Sequence, residues 1–240
     1  MTNCNITSVG NYAFRFCSNV KEIKIGKQVM NLGTAPFDTR CSIDKITVED
    51  GNPNFLVENG ILKSTDGILY RADSTFDGII PSDITNIQIY ALSYSDMTSI
   101  VIPTNVKTLG TYACAYCNNL VYAEFNAGVT SISARTGNRV FGYCSNLKYV
   151  KVKSNLTAIS TMVIQCISLE VLDFSEMTST TVPTCTETSF TDVPDGLKVV
   201  VPDALYDVWS TTTSWTTHIN SGKIILVKAS EFTGSKDDYL

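Results

Sequence analysis

The chain has 240 residues, 44% hydrophobic and 17% charged, the balance of an ordinary folded domain. A net charge of −5 and a pI near 4.9 exclude a broad basic surface for nucleic acid. No apolar run approaches the ~20 residues that cross a bilayer, so there is no transmembrane segment, and MTNCNITSVG lacks the basic-then-apolar order of a signal peptide. An exported natural form would hold this chain as its mature or cut-down part.

The first element is a repeat. Residues 6–25, ITSVGNYAFRFCSNVKEIKI, match residues 106–125, VKTLGTYACAYCNNLVYAEF, at an offset of 100. Gly10 meets Gly110, Tyr12 meets Tyr112, Ala13 meets Ala113, Cys17 meets Cys117, Asn19 meets Asn119 and Val20 meets Leu120. Residues 29–48 repeat the register with Val29, Leu32, Gly33, Phe37, Ile43, Ile46 and Val48. Residues 49–83 then break it. There, FLVENGILKSTDGILYRA carries Asn59-Gly60 and Asp66-Gly67, strong turn signals that predict an inserted β-hairpin. Such an insertion is either a tolerated surface excursion or a ligand-contacting flap.

The register resumes at 84–102 with Ile84, Ile87, Leu92, Met97, Ile100 and Ile102, one residue short. After 106–125 it continues at 129–152 with Val129, Ile132, Phe141, Cys144, Leu147, Val150 and Val152, interrupted by SARTGN. Leu156, Ile159, Val163, Cys166, Leu169, Leu172 and Phe174 mark the next copy, and LKVVVP, 197–202, ends a frayed seventh. Beyond Pro202, Asp203 can cap a helix whose face holds Leu205, Val208 and Trp209. With the strand IILV, 224–227, this segment, 203–227, reads as a C-terminal cap, because a solenoid needs its terminal apolar surface covered. Its two tryptophans either pack in that cap or stack on a sugar. Residues 228–240, KASEFTGSKDDYL, read as a flexible tail.

A unit of about 23 residues is the length of one leucine-rich-repeat coil. Its apolar-x-x-apolar-x-apolar ending puts the last two apolar residues on one face of a short strand. Stacked coils bury that face together. The fold class predicted for 1–202 is therefore an α/β repeat solenoid of about seven coils, a right-handed superhelix. It has a parallel β-sheet on one face and short helices or turns on the other. The glycine after Val-x-x-Ile is expected to supply unusual backbone freedom, and Ala-Phe-x-x-Cys a short helix or 3₁₀ turn.

The run Val-x-x-(Ile/Leu)-Gly-x-x-Ala-Phe-x-x-Cys-x-x-Leu-x-x-Ile-x-Ile, best seen in ITSVGNYAFRFCSNVKEIKI and VFGYCSNLKYVKV, resembles the BspA-like leucine-rich repeat family. The resemblance covers most of 6–202. Departures are Gln88 for glycine, Cys114 for phenylalanine and Arg40 for cysteine, which predict looser copies there. It implies a bacterial or protozoan protein, secreted or at the cell surface, that adheres to a host or neighbouring-cell protein or glycan. It names no ligand.

Candidate chemistry is thin. Cys114 and Cys117 form C-x-x-C, but Cys117 is the repeat cysteine shared with Cys17, Cys144 and Cys166, and no second pair or nearby histidine completes a metal site. The repeat thiols read as small buried hydrophobes, with one disulfide between stacked coils left open. His218 is the single histidine and has no nucleophile at a recognised spacing. No nucleotide, metallopeptidase or hydrolase motif appears. The expectation is no catalytic residue, no metal and no cofactor.

The strand face carries more. Lys24, Thr47, Val101, Glu124, Lys151, Asp173 and Lys198 are expected to point to solvent, with Glu22, Lys45, Ser99, Tyr122, Tyr149 and Val171 in the row before. Tyr122, Tyr149, Glu124 and Lys151 form a candidate ligand-binding patch of exposed tyrosines beside alternating charges. The other reading is tyrosines shielding strand backbone beside cross-strand ion pairs. Three functions follow: an adhesion or recognition module, a scaffold or stalk that displays another domain, and a cysteine-dependent enzyme. An open first coil would also permit end-to-end self-association.

Overall fold

The structure is a computed structural model that describes residues 5–126, 131–132 (backbone) and 138–239. Expectations placed on Cys4, Val129, the Ile132 side chain and most of SARTGN lie outside these residues. In chain order the strands are β1 (Ser8–Val9), β2 (Glu22–Ile25), β3 (Asn31–Leu32), β4 (Lys45–Val48), β5 (Phe55–Glu58), β6 (Ile61–Ser64), β7 (Ile68–Ala72) and β8 (Asn86–Ile87). They continue as β9 (Ser99–Ile102), β10 (Thr108–Leu109), β11 (Tyr122–Phe125), β12 (Ser131–Ile132), β13 (Tyr149–Val152), β14 (Val171–Asp173), β15 (Leu197–Val201) and β16 (Ile224–Lys228). Helices α1 (Tyr206–Thr211) and α2 (Thr213–Asn220) lie between the last two strands.

The seven copy endings are β2, β4, β9, β11, β13, β14 and β15. With the inserted segment and the cap strand they make a solenoid of about nine turns. β9, β11, β13, β14, β15 and β16 form one six-stranded parallel sheet, and β2 and β4 a two-stranded one. Alternation does the sorting: Ile100, Ile102, Ala123, Phe125, Val150, Val152 and Leu172 point inward and are buried. Each large apolar side chain so buried contributes ~1.5–3 kcal/mol before entropy is charged against it. The Val-x-x-Ile segments pair as a second ladder, β1 with β3, and β10 with β8 on one side and β12 on the other.

Between the ladders the chain forms turns, not helices. Amides that a helix would bond internally reach the next coil instead: Tyr12, Phe14 and Phe16 donate to Thr34, Pro36 and Asp38, and Tyr112, Cys114 and Tyr116 to Asn138, Val140 and Gly142. Aiming alternate amides sideways places one residue in the left-handed region at each end of the segment: Tyr12 and Phe16, Tyr90 and Tyr94, Tyr112 and Tyr116. A side chain costs ~1 kcal/mol or more there. Stacking offsets it, with Tyr90 4.8 Å from Tyr112, and Tyr116 4.8 Å from Tyr94 and 4.5 Å from Tyr143.

The repeat glycines therefore serve a different end from the one expected. Gly33 and Gly110 have ordinary φ, but a Cβ there would come within 2.4 Å of Asn11 and of the Ile89 backbone in the preceding coil. At Gly10 of the first coil nothing lies within 4 Å. Coil-to-coil approach, not turn freedom, selects glycine.

The predicted hairpin is β5–β6, and the second turn adds β7, making an antiparallel meander. β7 then pairs in parallel with β8, so the insertion is built in as a coil. Ile61, Leu62 and Leu69 are fully buried, which rules out a free flap. Its Arg71 fills the junction with the flanking coils, donating to the Cys41 carbonyl at 2.6 Å, the Tyr90 carbonyl at 2.6 Å and Ser93 Oγ at 2.8 Å.

The described cysteines are free thiols. The repeat thiols donate to a carbonyl of the preceding coil: Cys117 to Leu92 at 3.2 Å, Cys144 to Cys114 at 3.1 Å and Cys166 to Phe141 at 3.0 Å. Burial pushes the Cys114 and Cys144 thiols well above their ordinary value and Cys166 to about 12. Cys114 is as buried as Cys117, so its copy is not loosened. Among the described cysteines, alkylation of the native protein is expected to modify exposed Cys17 first and to spare Cys114, Cys144 and Cys166 until unfolding. Mapping labelled peptides checks this; fast labelling of any of the three would contradict it.

At the C-terminal end Trp209 and Trp215 are fully buried, 4.6 Å apart, and pack on Phe174. Trp215 Nε1 donates to the Pro183 carbonyl at 2.7 Å. Neither ring is open to a sugar. The first coil, by contrast, leaves Ile6, Tyr12, Phe14 and Phe16 exposed.

Candidate functional site

The strand register brings the four predicted site residues together. Tyr122 pairs with Tyr149 and Glu124 with Lys151 across β11 and β13. Lys151 in turn pairs with Asp173, but Asp173 pairs with Val200, and Lys198 faces Val171. The expected row thus slips by two residues at its end, a shift that leaves every side chain on the same face.

The tyrosines are not exposed. Tyr122 and Tyr149 are 1% and 2% exposed, because residues 229–239 cross the outer face of the sheet as a strap. Phe232 and Tyr239 pack on Tyr149 with ring centroids 6.3 and 5.2 Å away, and Lys236 Nζ sits 5.6 Å from the Tyr122 ring. Val171 and Val200, also outward on the sheet, complete a small second core with Val227 and Ala229. The tail expected to be loose is therefore packed on the sheet. Its signal was present: outward positions turn apolar toward the C-terminus, and two aromatic residues follow them.

Beneath the strap is a polar network. Tyr122 donates to Glu124 Oε2 at 2.7 Å and Tyr149 to Asp173 Oδ2 at 2.5 Å. Lys153 Nζ lies 2.9 Å from Glu124 and 3.2 Å from Glu176, while Lys151 pairs with Glu176 and stands 3.9 Å from Asp173. Burial, then the hydrogen bond to a carboxylate, raises both phenols far above their ordinary range. Lys151 and then Lys153 hold the Glu176 carboxyl below its usual value, and Glu124 raises Lys153. Asp173, Lys153 and Glu176 belong to the site although sequence reasoning left them out of it. Glu176 follows the strand and has no place in the period-2 pattern.

A cavity of about 280 Å³ remains between strap and sheet, lined by Tyr122, Tyr149, Lys151, Asp173, Phe232 and Lys236 among others. A larger hollow of about 410 Å³ lies beside the insertion, between β4 and β5, with Glu49 and Asp50 on its rim. Only the former holds a convergent set of rings, cations and carboxylates. His218 is buried edge-on to Phe190, with Nε2 3.0 Å from the Thr186 carbonyl. Among the described residues no group of three or more histidine, cysteine, aspartate or glutamate side chains is placed to hold a metal ion.

No curated protein matches the chain. In fold it is similar to the crystal structure of the pneumococcal vaccine antigen PcpA, with a TM-score of 0.64 and 20% identity over 95% of this chain and 61% of that one. It is similar to a leucine rich cell surface protein from Faecalibacterium prausnitzii, with a TM-score of 0.53 and 18% identity over 97% and 52% of the two chains. A leucine-rich repeat protein from Eubacterium ventriosum gives a TM-score of 0.50 and 22% identity over 78% and 62%. At these identities the likeness is one of fold, and the chain spans less than two thirds of each neighbour. The model of the BspA type leucine rich repeat region matches residues 1–59 and 68–193, in six copies. The chain belongs to the BspA-type leucine-rich repeat family.

Proposed function

We propose that this chain is a non-catalytic recognition module, displayed at a cell surface, that contacts a partner protein, peptide or glycan through the strand face. The observation that carries the reading is the cavity over β11, β13 and β14, where two tyrosine rings and a lysine–carboxylate network meet. Buried aromatic rings ringed by polar groups are the usual make-up of an interaction hot spot. Names among the fold neighbours, a cell surface protein and a vaccine antigen, support display at a surface. Buried, proton-bound thiols and a packed histidine speak against a cysteine-dependent enzyme.

A stalk or scaffold is the second reading, favoured by the way Glu124, Lys151, Lys153 and Glu176 satisfy one another. A screen against host matrix proteins and glycans, repeated with Lys151→Ala and Val101→Glu, separates the two. The module reading expects a ligand whose affinity falls about tenfold, ~1.4 kcal/mol, in a variant that keeps its fold. Binding that neither substitution alters would contradict it. Tyrosine-to-alanine replacement is not a clean probe, since both rings are buried.

A further inference from the structure

The strap itself points to what the strand face takes. Among the described residues, no hydrogen bond joins 231–239 to the sheet. The bonds of that segment are internal, Phe232 to Ala229, Asp238 to Ser235 and Tyr239 to Lys236, and the link just before it runs from the Ser230 amide to Asp203 at 3.0 Å. Attachment rests on side chains: Phe232 and Tyr239 against Tyr149, and Lys236 over Tyr122. Both aromatic residues of the strap stay half-buried, and the rest of 231–238 is largely exposed.

The polar groups of the face do not depend on the strap. Tyr122 and Tyr149 spend their hydroxyls on Glu124 and Asp173, and the lysines and carboxylates pair with one another on β11, at the end of β13 and on the turn after β14. Lifting the strap would strand no buried donor or acceptor and would open an apolar patch of Tyr122, Tyr149, Val171 and Val200. The cavity left beneath shows that the strap fills this surface incompletely.

We propose that residues 229–239 are a displaceable plug in a peptide-binding groove. Its ligand is a short peptide of a partner protein that sets two aromatic side chains on either side of a basic one, as Phe232, Lys236 and Tyr239 do here on a backbone of 3-10 turns at 229–231 and 236–238. The inference rests on the strand-face reading and adds the ligand class and its regulation. A plug closed most of the time lowers apparent affinity by the open fraction. Partner peptide and plug therefore compete for Tyr122 and Tyr149.

The test uses the full chain and a labelled synthetic peptide with the sequence of residues 229–239. The double variant Phe232→Ser/Tyr239→Ser, which leaves the face intact, is expected to bind the peptide at least about tenfold more tightly than wild type, as for a plug closed at least about nine-tenths of the time. A peptide with serine at both aromatic positions is expected not to bind. Equal binding to both proteins, or none to the opened variant, overturns the plug. So does a dimer formed by exchanged straps, seen by sedimentation. Hydrogen exchange on wild type gives a second readout should the variant fail to fold. Amides of 231–239 are expected to exchange much faster than those of β13 and β14, and equal protection overturns the proposal. A natural ligand that footprints on the strand face while the peptide fails would leave the recognition reading standing and remove the plug alone.

Discussion

Arg71→Ala is expected to destabilise the protein by about 4 kcal/mol, among the largest effects of any single substitution. Arg71 is 1% exposed, and its guanidinium holds two carbonyls and a hydroxyl from the coils on either side of the insertion. Charge-assisted hydrogen bonds of this kind contribute ~1.5–3 kcal/mol each, against a desolvation penalty of several kcal/mol for the buried cation. That penalty pulls its pKa down to about 10, which still leaves it charged at neutral pH. Alanine forfeits the bonds, leaves carbonyls short of donors and opens a cavity. Arg71→Met keeps the volume and sheds the desolvation cost, so about 2 kcal/mol is expected. Urea midpoints check both values. A methionine variant as stable as wild type would show that Arg71 fixes the junction's geometry without stabilising it.

Stability is also expected to fall steeply above pH 10. Tyr122 and Tyr149 keep their protons in the fold, held first by burial and then by bonds to Glu124 and Asp173. In the unfolded chain they titrate near pH 10. Above that pH the unfolded state binds fewer protons than the native state, so the free energy of unfolding decreases as pH rises. Each phenol adds a slope of up to ~1.4 kcal/mol per pH unit, up to its folded pKa. Tyr90 and Tyr116, likewise raised by burial, act in the same sense. Tyrosinate absorbance and circular dichroism, followed together, are expected to change in one cooperative step for these residues. Their reversible titration near pH 10 in a folded protein would contradict the placement of the strap.

The repeat could be read from the sequence because a period of about 23 residues and a period of two act together. Ile23 and Ile25, Ile100 and Ile102, Val150 and Val152 each fit both, and each pair lies inside. The turn segment could not be read as such, since Ala13-Phe14 and Ala113-Cys114 suit a helix equally well. What decides is where the amides go once a neighbouring coil offers carbonyls, and that is a tertiary fact. The slip at Lys198 has a simple origin: LKVVV alternates equally well in two registers two residues apart. For the site, period two correctly sent Tyr122 and Tyr149 to the outer face. It could not reveal that Phe232 and Tyr239 return from the far end of the chain to cover them, because no local pattern encodes that contact.

The most direct measurement of the central claim is a hydrogen-exchange footprint of the full chain with a ligand found by the screen. New protection is expected on β11, β13 and β14 together with loss of protection in 229–239, and no change on the tyrosine stack of Tyr94, Tyr116 and Tyr143. Protection confined to that stack or to the insertion, with the strap undisturbed, would contradict the claim.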